Sequence, residues 1–195
     1  MSPFTSPFMS PSSGTTRWLP VLALLSAASA AHADSLFNAV VDGTSQIVEV
    51  IDPTGPVVRV QTLATGSGTP GALTYHSGDV ISFATGQGTG TNRFVTATGD
   101  ELFGSFSVQL VPGADPSLFD LIGQVAFTGG TGAFAGATGA ASFLGHGQFV
   151  TPSLALTHFA FQGSVTAVPE PASAALLAVG LAAAGLWLRR RPSQA

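Results

Sequence analysis

Between residues 34 and 167, short runs of alternating apolar and polar side chains are separated by Gly, Pro, Asp and Asn. That pattern predicts antiparallel strands joined by turns. In Gly104–Gln109 (GSFSVQ), Phe106 and Val108 share one face while Ser105, Ser107 and Gln109 share the other. Phe159 and Phe161 alternate in the same way within Leu156–Val165. Such alternation gives each strand one buried and one wet face. The expected strands are Leu36–Val41, Gln46–Asp52, Val57–Ala64, Ala72–His76, Val80–Thr85, Arg93–Thr98, Leu102–Leu110, Leu121–Phe127, Ala141–Leu144, Gln148–Val150 and Leu154–Thr166. Asp52-Pro53-Thr54-Gly55 carries turn chemistry, with Pro fixing φ and Gly tolerating its positive values. Ser77-Gly78-Asp79 and Thr98-Gly99-Asp100 read as further breaks, and Val111–Pro116 as the longest proline-rich connection. Between the two terminal apolar runs no segment of ten residues has helical periodicity.

Those two runs differ in kind. Trp18–Ala31 (WLPVLALLSAASAA) follows Arg17 and leads into the small-x-small triplet Ala31-His32-Ala33, the pattern of a secretory signal peptide cleaved after Ala33. The preceding MSPFTSPFMSPSSGTT is long for the polar start of such a peptide, which makes Met9 an alternative start to Met1. At the other end, Ala172–Leu188 is a 17-residue apolar run interrupted by Ser173, followed by Arg189, Arg190 and Arg191. The run is at the short end of a membrane-spanning helix. Trp187 suits an interface, and the three arginines form a cytoplasmic stop. The resulting division is a signal peptide over 1–33, one domain over 34–167, and a tail over 168–195 with a transmembrane helix at 172–188.

Composition narrows the central domain. Its 134 residues are enough for one core. They contain nine carboxylates against Arg59 and Arg93, a net charge near −7. That balance argues against nucleic acid and anionic surfaces as partners, because phosphate binding needs clustered cations. The chain has no cysteine, which removes disulfides, thiol nucleophiles and thiolate metal sites.

The tail orders Val168-Pro169-Glu170-Pro171, an apolar helix and a basic cluster, and this arrangement resembles the PEP-CTERM sorting signal of Gram-negative bacteria. The resemblance implies that Pro169, Glu170 and Pro171 are recognised by exosortase, a membrane-embedded protease. It also implies a membrane-anchored precursor that reaches the cell surface or exopolysaccharide matrix, with the secretion translocon and signal peptidase acting before it. Two segments of the domain carry a second likeness. Thr91–Gly104 (TNRFVTATGDELFG) is similar to a strand-turn-strand element of small exported bacterial β-proteins. Phe127–Gly139 (FTGGTGAFAGATG) resembles a signature of allene-oxide-cyclase-like and dirigent-like barrels, with Ala133 where Arg is usual. These imply an all-β fold, a small antiparallel β-barrel or flattened barrel or sandwich. In Phe127–Gly139 the glycines permit a tight bend and Phe134 plugs it against the core, with Ala135 and Ala137 allowing close packing. A phosphate-cradling loop is excluded, since the Lys and following helix are missing.

Candidate chemistry is sparse. His76 and Asp79 have the spacing of a weak metal or acid-base pair. His146, between two glycines, reads as an exposed turn residue, and His158 as a wet-face or partly buried one. Asp100-Glu101 with Asp79 offers oxygen ligands suited to calcium, but a solvated turn with Asp100 bonding nearby backbone is the simpler reading. No Gly-x-Ser-x-Gly elbow or zinc-protease spacing occurs. The expectation is therefore a non-enzymatic exported protein with no catalytic residue, metal or cofactor. The alternative is a small-molecule-binding or isomerase-like barrel whose phenylalanines line a pocket.

Overall fold

A computed structural model describes residues 33–167 and 177–185. The first segment forms eight strands in a closed antiparallel meander: β1 (Ala33–Asp52), β2 (Val57–Gly68), β3 (Gly71–Ser82), β4 (Gln87–Thr96), β5 (Glu101–Pro112), β6 (Leu118–Gly130), β7 (Thr138–Thr151) and β8 (Leu154–Ala167). Each strand pairs with its sequence neighbours, and β1 closes the circle on β8, from Ala33 opposite Ala167 to Gln46 opposite Leu154. The 20-residue β1 pairs with β2 through residues 39–52, so its middle is bonded on both sides. This stagger is what closing a sheet with tilted strands requires. The all-β expectation resolves into a closed barrel.

The chain was expected to break into more strands than it does. Leu36–Val41 joins Gln46–Asp52 in β1, Ala72–His76 joins Val80–Ser82 in β3, with Phe83–Thr85 of the expected strand falling in the turn, and Ala141–Leu144 joins Gln148–Val150 in β7. The ladders run unbroken through Ser77-Gly78-Asp79 and through Gly145-His146-Gly147. The glycines that suggest breaks at Gly43, Gly145 and Gly147 instead lie on the inward face of their strands, where space is short. A Cβ at Gly147 would enter the Phe119 ring, one at Gly123 the Phe143 ring, and one at Gly43 the backbone of Leu63. Inward glycines thus make room for inward phenylalanines, the alternation of small and large residues that fills a narrow barrel.

Turns form after Asp52 and around Thr98–Asp100 as expected, whereas β5 runs on through Val111 and Pro112, so the last connection is confined to Gly113–Ser117. In the first, Asp52 Oδ1 accepts from Thr54 N at 2.8 Å, and in the last Asp115 Oδ1 accepts from Ser117 N at 2.8 Å. The bend after β6 is a single 3-10 turn, Gly132–Phe134, with positive φ at Gly129, Gly132 and Gly136. Phe134 packs against the core there, and Ala137 is fully buried. Ala135 is exposed, which corrects its expected packing role: the 3-10 turn directs it outward.

Aromatic side chains fill much of the interior. Phe94 contacts Phe37, Tyr75 and Phe161 at centroid distances of 5.1, 5.0 and 5.0 Å, and Phe143 meets Phe161 at 5.2 Å. At the opposite end from the Ala33–Ala167 pairing, Phe83, Phe119 and Phe149 cluster. Residues 177–185 are helical. No helix among the described residues is long and apolar enough to cross a membrane. The expected span 172–188 extends beyond both ends of the described helix, and most of the expected signal peptide lies outside the described residues.

Candidate functional site

Strand register assembles a polar belt inside the barrel. Ser45 on β1 stands opposite Thr62 on β2, Thr62 opposite Ser77 on β3, and Ser77 opposite Asn92 on β4. Alternation turns all four inward, with Asp79 two residues along β3 from Ser77 and Thr157 on β8. The Ser45 hydroxyl bonds Thr62 Oγ1 at 2.7 Å and Thr157 Oγ1 at 3.2 Å. Ser77 Oγ donates to Asp79 Oδ1 at 3.4 Å. Facing this belt are Phe106, Leu121, Phe143 and Phe159, and between the walls lies a cavity of about 50 Å³. It extends toward the Phe83, Phe119 and Phe149 end, away from the pairing of Ala33 with Ala167.

Electrostatics single out one group in this cavity. Asp79 is 6 % exposed. Burial pushes its carboxyl up to about 7, with the Ser77 hydroxyl pulling weakly the other way. Tyr75, fully buried beside it, is raised by the same loss of solvent. The Tyr75 hydroxyl lies near Asn92, yet neither Oδ1 nor Nδ2 of Asn92 attains hydrogen-bond geometry with any group. A buried amide without partners costs on the order of 1–3 kcal/mol. The cavity has room for roughly three waters, well short of the 300 Å³ or so of a drug-sized ligand site. What it can hold is water or a molecule of a few heavy atoms that hydrogen-bonds to a carboxylic acid and hydroxyls.

The expected His76–Asp79 pair is not formed. His76 points to the outer face and Asp79 to the interior, because three residues along a strand reverses the face. Burial, then the nearby Arg93 charge, hold the His76 imidazole below its ordinary range. Asp79 is also remote from Asp100 and Glu101: β3 aligns Leu73 with Thr96 near that turn and reaches Asp79 only at Gly90. Asp100 sits in a turn where Thr98 Oγ1 donates to its Oδ2 at 2.9 Å, and Glu101 pairs with Arg93 at 3.3 Å. Among the described residues no three His, Asp or Glu side chains stand together as a ready-made metal site. His146 is in mid-strand rather than in a turn, opposite His158.

β8 ends at Ala167, on the same end of the barrel where β1 begins, and Val168-Pro169-Glu170-Pro171 follows without a linker. Val168–Pro171, Arg189–Arg191 and Ala31 lie outside the described residues, whereas Ala33 is the first residue of β1. Residues 167–191 match the PEP-CTERM protein-sorting motif. The PEP-CTERM match spans the Pro-Glu-Pro tract, the apolar run and the three arginines in the order in which they stand here. It supports export, a membrane-anchored precursor and exosortase as the processing partner. No curated protein and no solved structure matches the chain, so the likeness of Phe127–Gly139 to allene-oxide-cyclase-like barrels gains no support from a relative.

Proposed function

We propose that this chain is an exported, non-enzymatic β-barrel, delivered through its tail to the cell surface or exopolysaccharide matrix after exosortase acts at Val168–Pro171. The observation that carries the reading is the PEP-CTERM sorting motif set directly after a closed barrel. A barrel whose first and last strands are hydrogen-bonded neighbours holds its own termini, so cutting beyond Ala167 leaves every ladder intact. The non-enzymatic part is supported by the division of His76 and Asp79 between opposite faces of β3. The acidic, low-charge domain, with nine carboxylates and two arginines, suits a hydrated matrix better than a polyanionic partner.

Replacing Pro169, Glu170 and Pro171 together with Ala is expected to trap the protein in the membrane fraction, while the parent chain is recovered from the surface and medium. Unchanged distribution of the variant would contradict the assignment of that tract as the processing signal. A second reading rests on a different observation, the cavity beside Asp79. In that reading the exported barrel carries a small polar molecule in its interior, as a binder or isomerase-like protein.

A further inference from the structure

Asp79 stands among neighbours that leave it under-bonded. Across the ladders it faces Val60 on β2 and Gly90 on β4, and neither has a side chain that can donate a hydrogen bond. A Cβ at Gly90 would lie 2.6 Å from that of Asp79, so the glycine makes the space that this side chain occupies. The bond it accepts from Ser77 Oγ, at 3.4 Å, is long for a hydroxyl donor. Among the described residues Asp79 is the sole charged side chain lining the cavity, and Tyr75 is the one other titratable group there. Arg59 and Arg93, the two arginines among the described residues, stand on the outer face, engaged with Glu49 at 2.8 Å and Glu101 at 3.3 Å.

We propose that this cavity is a site for a small primary ammonium ion, with the Asp79 carboxylate as its counter-charge, the hydroxyl belt as acceptor and the phenylalanine wall around its alkyl group. This rests on the second reading above and names the class of molecule that the barrel carries. The hydrogen-bond balance calls for a donor. Linking Ser45 to Thr62 at 2.7 Å and to Thr157 at 3.2 Å uses most of the three hydroxyl protons and leaves most of the oxygen lone pairs free. An ammonium group brings three N–H donors and no acceptor, which matches that excess. Tyr75, Phe106 and Phe159 line the same space, and aromatic faces attract cations. Burial alone pushes the Asp79 carboxyl up to about 7, whereas an opposite charge within about 4–6 Å favours the ionised form.

Size limits the ion. A cavity of about 50 Å³ takes roughly three waters, and so an ion as small as methylammonium. Entry lies at the end away from the pairing of Ala33 with Ala167, where Phe83 is 38 % exposed. A primary alkylammonium, like the lysine side chain, stays charged up to about pH 10. Asp79 has to lose its proton before it pairs with such an ion, so binding releases that proton to solvent and weakens as the pH falls below about 7. The flanking strands add no other titration in this range. Val60, Thr62, Gly90 and Asn92 are the inward neighbours on β2 and β4, His76, Arg93 and Glu101 stand on outward positions, and burial raises Tyr75 so that it keeps its proton.

The test is a titration of methylammonium chloride into the full chain in non-ionic detergent, followed by amide NMR at constant ionic strength. At pH 8 the amides of Ser45, Thr62, Ser77 and Asp79 are expected to shift together and to saturate in the millimolar range, the tightest open to an ion of so few atoms. Methanol, of the same size but uncharged, should bind at least tenfold more weakly, as should formamide. Asp79→Asn should weaken methylammonium binding at least tenfold. In the parent chain, which makes the result independent of variant folding, moving from pH 8 to pH 6 should weaken it about tenfold. Equal binding of methanol or formamide, equal binding by Asp79→Asn, or an affinity unchanged between pH 8 and pH 6 would overturn the ammonium site while leaving the interior a binder of small polar molecules. No saturable shift with any of the three compounds would overturn the site and the second reading together.

Discussion

At pH 8, Asp79→Asn is expected to be more stable than the parent protein by about 4 kcal/mol, and the difference should fade as the pH is lowered to about 4. The sign follows from burial. In the folded barrel the Asp79 carboxyl is pushed up to about 7, against 3.8 for the unpaired group. Between those values the native state holds a proton that the unfolded chain has released, so stability falls as pH rises through this window and levels off above it. Below it both states are protonated, and acid and amide are near isosteres. Asp52 and Asp115 shift the other way, held down by hydrogen bonds from Thr54 and Ser117, so their contributions change at pH values below this window. His76, held low by burial, works against Asp79: the unfolded chain takes up the proton first, which favours folding as pH rises toward 6.5. Urea unfolding of both proteins from pH 4 to 8 checks this. The parent should lose stability across the range and the variant should stay flat or gain slightly, whereas parallel curves would contradict a buried Asp79.

Phe94→Ala is expected to cost about 3–5 kcal/mol, enough to leave much of the domain unfolded in mild denaturant. Phe94 is 1 % exposed on β4 and meets Phe37, Tyr75, Phe127 and Phe161 edge-on or tilted. Truncation removes the ring from those contacts at once, and a closed barrel has little freedom to collapse onto the gap. Leu144→Ala is the matched control. Leu144 is 63 % exposed on the outer face of β7, and its loss should change stability by less than about 0.5 kcal/mol. Equal effects at the two positions in chemical denaturation would mean that the interior packing is not as described.

Local alternation was legible in the sequence and long-range pairing was not. The inward set of β5 and β8, Phe106, Val108, Phe159 and Phe161, can be read directly from a period of two. The turn at Asp52–Gly55 is equally plain, because Pro and Gly there act locally. Gly43, Gly145 and Gly147 mislead because glycine has two uses: it permits a turn, and it leaves space beneath a neighbouring ring. Which use applies depends on Phe119 or Leu63 on another strand. The same holds for the candidate site. Ser45 and Thr157 are 112 residues apart, and no spacing rule joins them before the barrel closes. The burial of Asp79 was hidden similarly, since the expected break at Ser77–Asp79 placed it in a solvated turn, whereas the unbroken β3 turns it inward. The tail is the opposite case. Its three parts are contiguous, so order and composition alone are enough to read it.

Processing of the tail by exosortase is tested by the intact mass of the protein from cell surface and medium, in strains with and without the exosortase gene. With the gene present, the recovered species should begin at Asp34 and end near Val168–Pro171, with the whole barrel retained. Without it, the tail through Ala195 should remain and the protein should stay in the membrane. A tail that persists in both strains would rule out exosortase processing and make residues 168–195 a plain anchor on a tethered barrel.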